Sequence, residues 1–133
     1  MSWLYHPLLP ASAEIESSVP LDTTPDQFTF TDQTNVTTNT VITSNSFVVT
    51  GINADTVISV TGGSYNINGG AYQTTSSTVA GGETITVRHT SSSNYSTATN
   101  TTLTIGAVSD TFTSTTEAAP VVALSSGSIL LIF

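Results

Sequence analysis

Two histidines, nine carboxylates and one arginine are the residues of this chain best suited to chemistry, and their spacing serves it poorly. A histidine base needs a nucleophile and a paired acid within hydrogen-bond reach, as in a Ser-His-Asp triad. His6 lies in a proline-interrupted segment. His89 follows Ile85 and Val87 at period two, which turns it inward as a hydrogen-bonded residue at a sheet end. Serines are many, but none stands in a Gly-x-Ser-x-Gly elbow. Glycoside hydrolysis needs two facing carboxylates, and the aromatics that usually surround them are missing. Asp32, Asp55 and Asp110 fall in or near turns, where carboxylates and main-chain carbonyls can hold Ca²⁺. No Asp-x-Asp-x-Asp run occurs, however, and Asp favours turns because its side chain bonds nearby backbone N–H groups. With no cysteine, disulfides and thiolate metal sites are out of reach. These residues predict a non-enzymatic chain without a cofactor, Ca²⁺ being the one cation with any support.

The charge balance narrows the partners. Nine acidic residues against one basic residue, Arg88, give a net charge of −8. Binding to nucleic acid rests on several Lys or Arg neutralising phosphates, and this chain has no such set. An anionic membrane surface is disfavoured for the same reason. Arg88 alternates with Thr84 and Thr86 and is expected to face outward, pairing with one of the carboxylates or serving as an interface contact.

The elements that must position these residues are strands. Thr and Ser make up roughly a third of the chain, a bias shared by disordered segments and by exposed β surfaces. Alternation decides for strands: Phe28-Thr29-Phe30-Thr31, Val57-Ile58-Ser59-Val60 and Thr84-Ile85-Thr86-Val87 all keep period two. Strands are expected over Gln27–Asp32, Val41–Ser44, Phe47–Ile52, Thr56–Thr61, Ser64–Asn68, Ala71–Thr74, Glu83–His89, Thr101–Ile105 and Thr111–Thr115. Asn68-Gly69-Gly70 marks a hairpin, because Asn-Gly tolerates the positive φ that such turns need. Gly62-Gly63 and Ala80-Gly81-Gly82-Glu83 separate further runs, and Gly106-Ala107-Val108-Ser109-Asp110 is expected to join Leu103-Thr104-Ile105 to Thr111-Phe112-Thr113. No window outside the ends keeps a helical apolar repeat. The expected core is Phe28, Phe30, Phe47, Val49, Ile58, Val60, Ile67, Ile85, Val87, Leu103, Ile105 and Phe112, shared by two packed sheets.

Asp26-Gln27-Phe28-Thr29-Phe30-Thr31-Asp32, then Gly51-Ile52-Asn53, then Ile58-Ser59-Val60-Thr61-Gly62-Gly63-Ser64-Tyr65-Asn66-Ile67-Asn68-Gly69-Gly70-Ala71-Tyr72 resemble an Ig-like β-sandwich repeat of large bacterial surface and extracellular proteins. Val87-Arg88-His89-Thr90, Asn94-Tyr95-Ser96-Thr97 and Thr101 through Phe112 fall where that repeat would put them. The resemblance covers residues 23–116. It implies an all-β, Ig-like antiparallel sandwich used as a spacer, stalk or adhesive unit, with no catalytic residues to transfer. In those proteins the unit comes in tandem, whereas here one unit stands between two apolar ends. The opening Ser2-Trp3-Leu4-Tyr5-His6-Pro7-Leu8-Leu9-Pro10 resembles the starts of small accessory structural proteins of tailed bacteriophages.

The ends carry what the sandwich does not. Residues 1–24, with Pro7, Pro10 and Pro20, read as an extended arm in which Trp3, Leu4, Tyr5, Leu8 and Leu9 are docking residues, since aromatic anchors dominate interface energetics. Ala11-Ser12-Ala13 has the small-residue look of a cleavage site, but no basic residue precedes it, so a cleaved signal is not expected. Residues 117–133 read as an apolar hairpin or strand. Alternation puts Ile129, Leu131 and Phe133 on one face and Leu130 and Ile132 on the other, so both faces need covering. Burial of each is worth ~1.5–3 kcal/mol. Val121-Val122-Ala123-Leu124 can cover one face in the same molecule, or another chain can do so by strand addition. The stretch is too short to span a bilayer as a helix.

Together these readings predict a three-part chain: arm 1–24, sandwich 25–116 and apolar segment 117–133. The function expected is that of a virion structural or display protein, a capsid decoration protein of the cement type. Its partners would be capsid or other virion structural proteins, further copies of itself as a homo-oligomer and, weakly, host-surface glycans. The alternatives are an adhesin or stalk module at a bacterial cell surface, and a carbohydrate-binding module with an aromatic platform drawn from Tyr65, Tyr72 or Tyr95.

Overall fold

Where Thr alternates with Val, Ile or Leu the chain forms β-ladder, and where turn residues interrupt, it changes strand or sheet. The computed structural model describes residues 19–122. Among them are nine strands and no helix: β1 Gln33–Val36, β2 Val41–Thr43, β3 Phe47–Val48, β4 Thr56–Thr61, β5 Ser64–Ile67, β6 Ser77–Val79, β7 Thr84–Thr90, β8 Ala98–Ile105 and β9 Val108–Thr116. One sheet has the order β1-β9-β8-β4-β6; in the other, β7 is paired by β2, β3 and β5. Residues 19–122 are therefore all-β and lie in two sheets, as the alternation predicts.

β8 and β9 make the longest hairpin, in unbroken register from Ala98 opposite Thr115 to Ile105 opposite Val108. The sequence suggested a five-residue connection here; the structure closes it with Gly106-Ala107 alone. Gly106 has φ +59°, and a methyl on it would stand 2.7 Å from the carbonyl oxygen of Thr23. Glycine in the first of two turn positions suits a primed hairpin turn, whose twist matches that of the strands. The Asn68-Gly69 turn forms as read. Both residues have positive φ, 54° and 76°, and the Gly70 N–H donates to the Ile67 carbonyl at 3.0 Å. Its second arm is not the strand expected over Ala71–Thr74. Only Gln73 pairs there, with Tyr65, and the next strand is β6 at Ser77–Val79, which crosses to the other sheet and joins β4.

The segment Gln27–Asp32 also differs from its reading. It is extended, with Phe28 and Phe30 buried, but it belongs to neither ladder. Side chains fasten it instead. The Phe30 N–H donates to Asp110 Oδ2 (2.7 Å), the Thr113 N–H to Asp32 Oδ1 (2.9 Å), and the Thr31 N–H to Asn45 Oδ1 (2.7 Å). It thus bridges the two sheets, satisfying its backbone with carboxylate and amide oxygens rather than strand carbonyls. The strand expected over Phe47–Ile52 shortens to Phe47–Val48. Beyond it, Val49 exchanges bonds with the β6–β7 turn: its N–H donates to Glu83 O (2.9 Å) and its carbonyl accepts from Gly82 (2.8 Å).

The buried core comprises Phe28, Phe30, Ile42, Val49, Ile58, Tyr65, Val79, Ile85, Val87, Leu103, Ile105 and Phe112. Phe47, Val60 and Ile67, expected inside, are half-buried against it. Their places are taken by Ile42, Tyr65 and Val79, whose depth depends on how the sheets stack. Four phenylalanines run through the centre: Phe28 stacks on Phe47 with ring centroids 4.4 Å apart, and Phe30 meets both edge-on and also reaches Phe112. Offset and edge-to-face pairs of this kind add ~0.5–1.5 kcal/mol each beyond their buried area.

The core is graded along the strands. At the Gly106 end the inward residues are Ile85, Ile105 and Ile58; toward the other end come His89, Thr101, Ser114, Ser91 and Thr116, all buried. The chain enters at the apolar end, where Asn53 accepts from the Asp22 N–H (2.7 Å) and Thr56 Oγ1 donates to Thr23 O (3.2 Å). It leaves at the polar end, where the Glu117 N–H donates to Val36 O (2.9 Å).

Candidate functional site

His89 is the one histidine among the described residues, His6 lying outside them, and β-geometry determines what surrounds it. On β7 it follows Ile85 and Val87 inward; on β8 Thr101 precedes Leu103 and Ile105 on the inward face; on β9 Ser114 follows Phe112. The three polar residues meet in one layer between the sheets. His89 Nδ1 lies 2.7 Å from Thr101 Oγ1, and Nε2 lies 2.7 Å from Ser114 Oγ. The imidazole stacks on Phe112, with ring centres 5.0 Å apart.

One further bond fixes the proton positions. Thr101 Oγ1 donates its only hydrogen to the carbonyl of Gly62, 3.1 Å away. It must therefore accept from His89 Nδ1–H, which leaves Nε2 as the acceptor of the Ser114 hydroxyl. As a neutral imidazole His89 has both nitrogens satisfied, and burial, which disfavours the charged form, pushes its pKa below the ordinary value. The pair has the serine-to-histidine bond of a hydrolase, but Ser114 and Thr101 are fully buried, and the third member is a hydroxyl where a triad needs a carboxylate. Gly63 seals this layer. A methyl there would stand 2.5 Å from the Arg88 carbonyl and would collide with Thr101 Oγ1.

The carboxylates considered for Ca²⁺ do not converge. Asp32 and Asp110 accept backbone N–H groups of the bridging segment and β9, as above, and Asp55 is exposed at a loop. Among the described residues no three His, Cys, Asp or Glu side chains are grouped as a cation would require.

Arg88 does face outward, and its partner is an aromatic ring. Its guanidinium carbon lies 3.8 Å above the centre of the Tyr72 ring. Tyr72 reaches it because the Asn68-Gly69 turn folds the following loop back over β5, and β5 pairs with β7 with Ser64 opposite Arg88. A cation held this way gains ~0.5–1 kcal/mol at an exposed site. Beside it is an open basin of about 390 Å³ lined by Val41, Gly62, Gly63, Ser64, Arg88, His89 and Thr90. Two residues farther along β5, opposite Thr86, Asn66 is buried with its Oδ1 unpartnered.

Of the three tyrosines proposed as an aromatic platform, Tyr65 is unavailable. It is fully buried and its hydroxyl donates to the Thr75 carbonyl at 2.9 Å, because its strand carries it under the β5–β6 loop. Tyr95 is exposed and Tyr72 half-exposed. Trp3, Leu4, Tyr5, Leu8, Leu9, Ile129, Leu130, Leu131, Ile132 and Phe133 lie outside the described residues. Next to those segments, Val19, Leu21 and Val121 are all strongly exposed.

Sequence reasoning placed His89 inward but did not name its partners. The signal was there, since Thr101 shares alternation with Leu103 and Ser114 with Phe112. Nothing in the sequence pointed from Arg88 to Tyr72. No protein-family model, curated protein or solved structure matches this chain.

Proposed function

We propose that this chain is a non-enzymatic structural and display protein of a bacteriophage virion, a capsid decoration protein of the cement type, whose β domain is an Ig-like sandwich. The observation that carries the reading is the contrast between a His89 whose two ring nitrogens are both engaged and exposed apolar residues at both exits. His89, the residue best suited to chemistry, is engaged between Thr101 and Ser114, while Val19, Leu21 and Val121 stand in solvent beside the apolar sequences. Strand order supports the Ig-like part. β2 and β3, β7 and β5 oppose β4, β8 and β9, the B-E-D against C-F-G division of an Ig sandwich, and β1 pairs with β9 in parallel at the edge. β6 departs from that order, since it joins β4 only after β5 has entered the opposite sheet.

Attachment to a shell would bring capsid proteins as partners, and many copies on a lattice would multiply weak contacts through avidity. Deleting residues 118–133 from the phage gene is expected to remove the protein from purified particles, as read by mass spectrometry, while the purified variant keeps its β-sheet circular dichroism. Undiminished incorporation of the folded variant refutes attachment through this segment.

A second reading, a stalk or adhesin module at a bacterial surface, is favoured by one feature. Entry beside Gly106 and exit beside Thr116 lie at opposite ends of the nine-residue strand β9, roughly 30 Å apart at strand rise. That is the layout of modules strung in line.

A further inference from the structure

The outer face of the β2/β3-β7-β5 sheet carries the single Arg or Lys side chain of the protein. Any anion held here by a charge-assisted bond must use Arg88. Its guanidinium is positioned by the Tyr72 ring, and it borders the basin formed with Val41, Gly62, Gly63, Ser64 and Thr90. We propose that this basin binds a sugar bearing a carboxylate, of the uronic acid type.

Three features select that class. A single guanidinium fork matches one carboxylate in a bidentate pair. A polyphosphate or nucleic acid would call for several cations, and a chain of net charge −8 repels multiply charged ligands. The remaining rim is neutral and hydrogen-bonding, with the Ser64 and Thr90 hydroxyls and the main chain of Gly62 and Gly63, which suits sugar hydroxyls. Exposed Val41 offers an apolar contact for the C–H face of a ring. A volume of about 390 Å³ lies at the small end of ligand sites. Tyr72 spends its face on Arg88, so the sugar meets the guanidinium rather than stacking on the tyrosine.

The inference deepens the display reading by naming a ligand class, and it rests on that reading only for its biological setting. Its test uses purified full-length protein, so a failure to bind and a failure to enter particles are separate results. Because the chain has one arginine, its Nε–Hε signal in a ¹H–¹⁵N spectrum is a unique reporter. Titration with sodium glucuronate is expected to shift that signal saturably at millimolar concentration, with acetate and methyl glucoside each roughly tenfold weaker or more. Arg88→Gln should abolish the ligand-induced shifts of the Ser64 and Thr90 amides, and Tyr72→Leu should weaken binding while the β-sheet spectrum is kept. Arg88→Lys, which retains charge without the fork, should bind less tightly than the parent. No saturable shift overturns the proposal, as do equal responses to acetate or methyl glucoside, or undiminished glucuronate binding by Arg88→Gln.

Discussion

Thr101 Oγ1 must accept from His89 Nδ1–H, so a second proton on the ring can sit only on Nε2, facing Ser114. Protonating Nε2 would turn it toward the Ser114 oxygen as a donor and displace the Ser114 hydrogen from its acceptor. Burial already lowers the pKa relative to the unfolded chain. The sign follows from linkage: with the folded pKa depressed, the unfolded chain takes up the proton first. The stability His89 supports is therefore complete above the ordinary histidine value of 6.5 and is lost as the pH falls through the lower folded value. Urea midpoints should decline from pH 7.5 toward pH 5, and His89→Gln should flatten that decline. An unchanged slope in the variant would place the titration elsewhere.

Among the elements, the bridging segment Gln27–Asp32 has the most individual chemistry. It buries Phe28 and Phe30 without a strand partner, so its attachment rests on Asp110, Asp32 and Asn45 rather than on a ladder. A hydrogen bond to a charged acceptor contributes ~1.5–3 kcal/mol. Asp110→Ala should therefore cost about 1–2 kcal/mol, the lower figure reflecting its partial exposure. Hydrogen exchange should locate the loss: the Phe30 amide should lose protection well before those of Leu103 or Val87. Uniform acceleration across the domain would mean that Asp110 supports the whole sandwich rather than this segment. The same chemistry explains why alternation misread the segment. Phe28-Thr29-Phe30-Thr31 has the period of a strand and the burial of one, but period two reports which side chains point inward and says nothing about which groups receive the backbone N–H bonds.

At the scale of the molecule, the sandwich closes its core with residues 25–116, the apolar interior running from Phe28 to Phe112. If the apolar ends serve external contacts, they add little to that core. A fragment of residues 19–122 is then expected to unfold in one cooperative step, with a free energy within about 0.5 kcal/mol of the full chain, as read by urea denaturation. A loss of several kcal/mol would instead assign Ile129 to Phe133 to a second core within the same molecule, the covering by Val121 to Leu124 considered above.

Much of this architecture was written in the sequence, because a half-buried sheet forces Thr and Val or Ile to alternate. Ile58, Ile85, Val87, Leu103 and Ile105 needed only their neighbours to be placed inside. Asn68-Gly69 specified its turn through the positive φ it tolerates. His89 was legible as an inward histidine for the same local reason. Its bonds to Thr101 and Ser114 were decided only when β8 and β9 were set in register and packed against β7 of the other sheet, since a one-residue slip would turn either hydroxyl to solvent. Tyr65 became core rather than platform, and Tyr72 came to lie beneath Arg88, through the path of a loop that no periodicity encodes. Sequence fixes side-chain direction one strand at a time, whereas contacts between strands far apart in the chain exist only after the sheets have paired and packed.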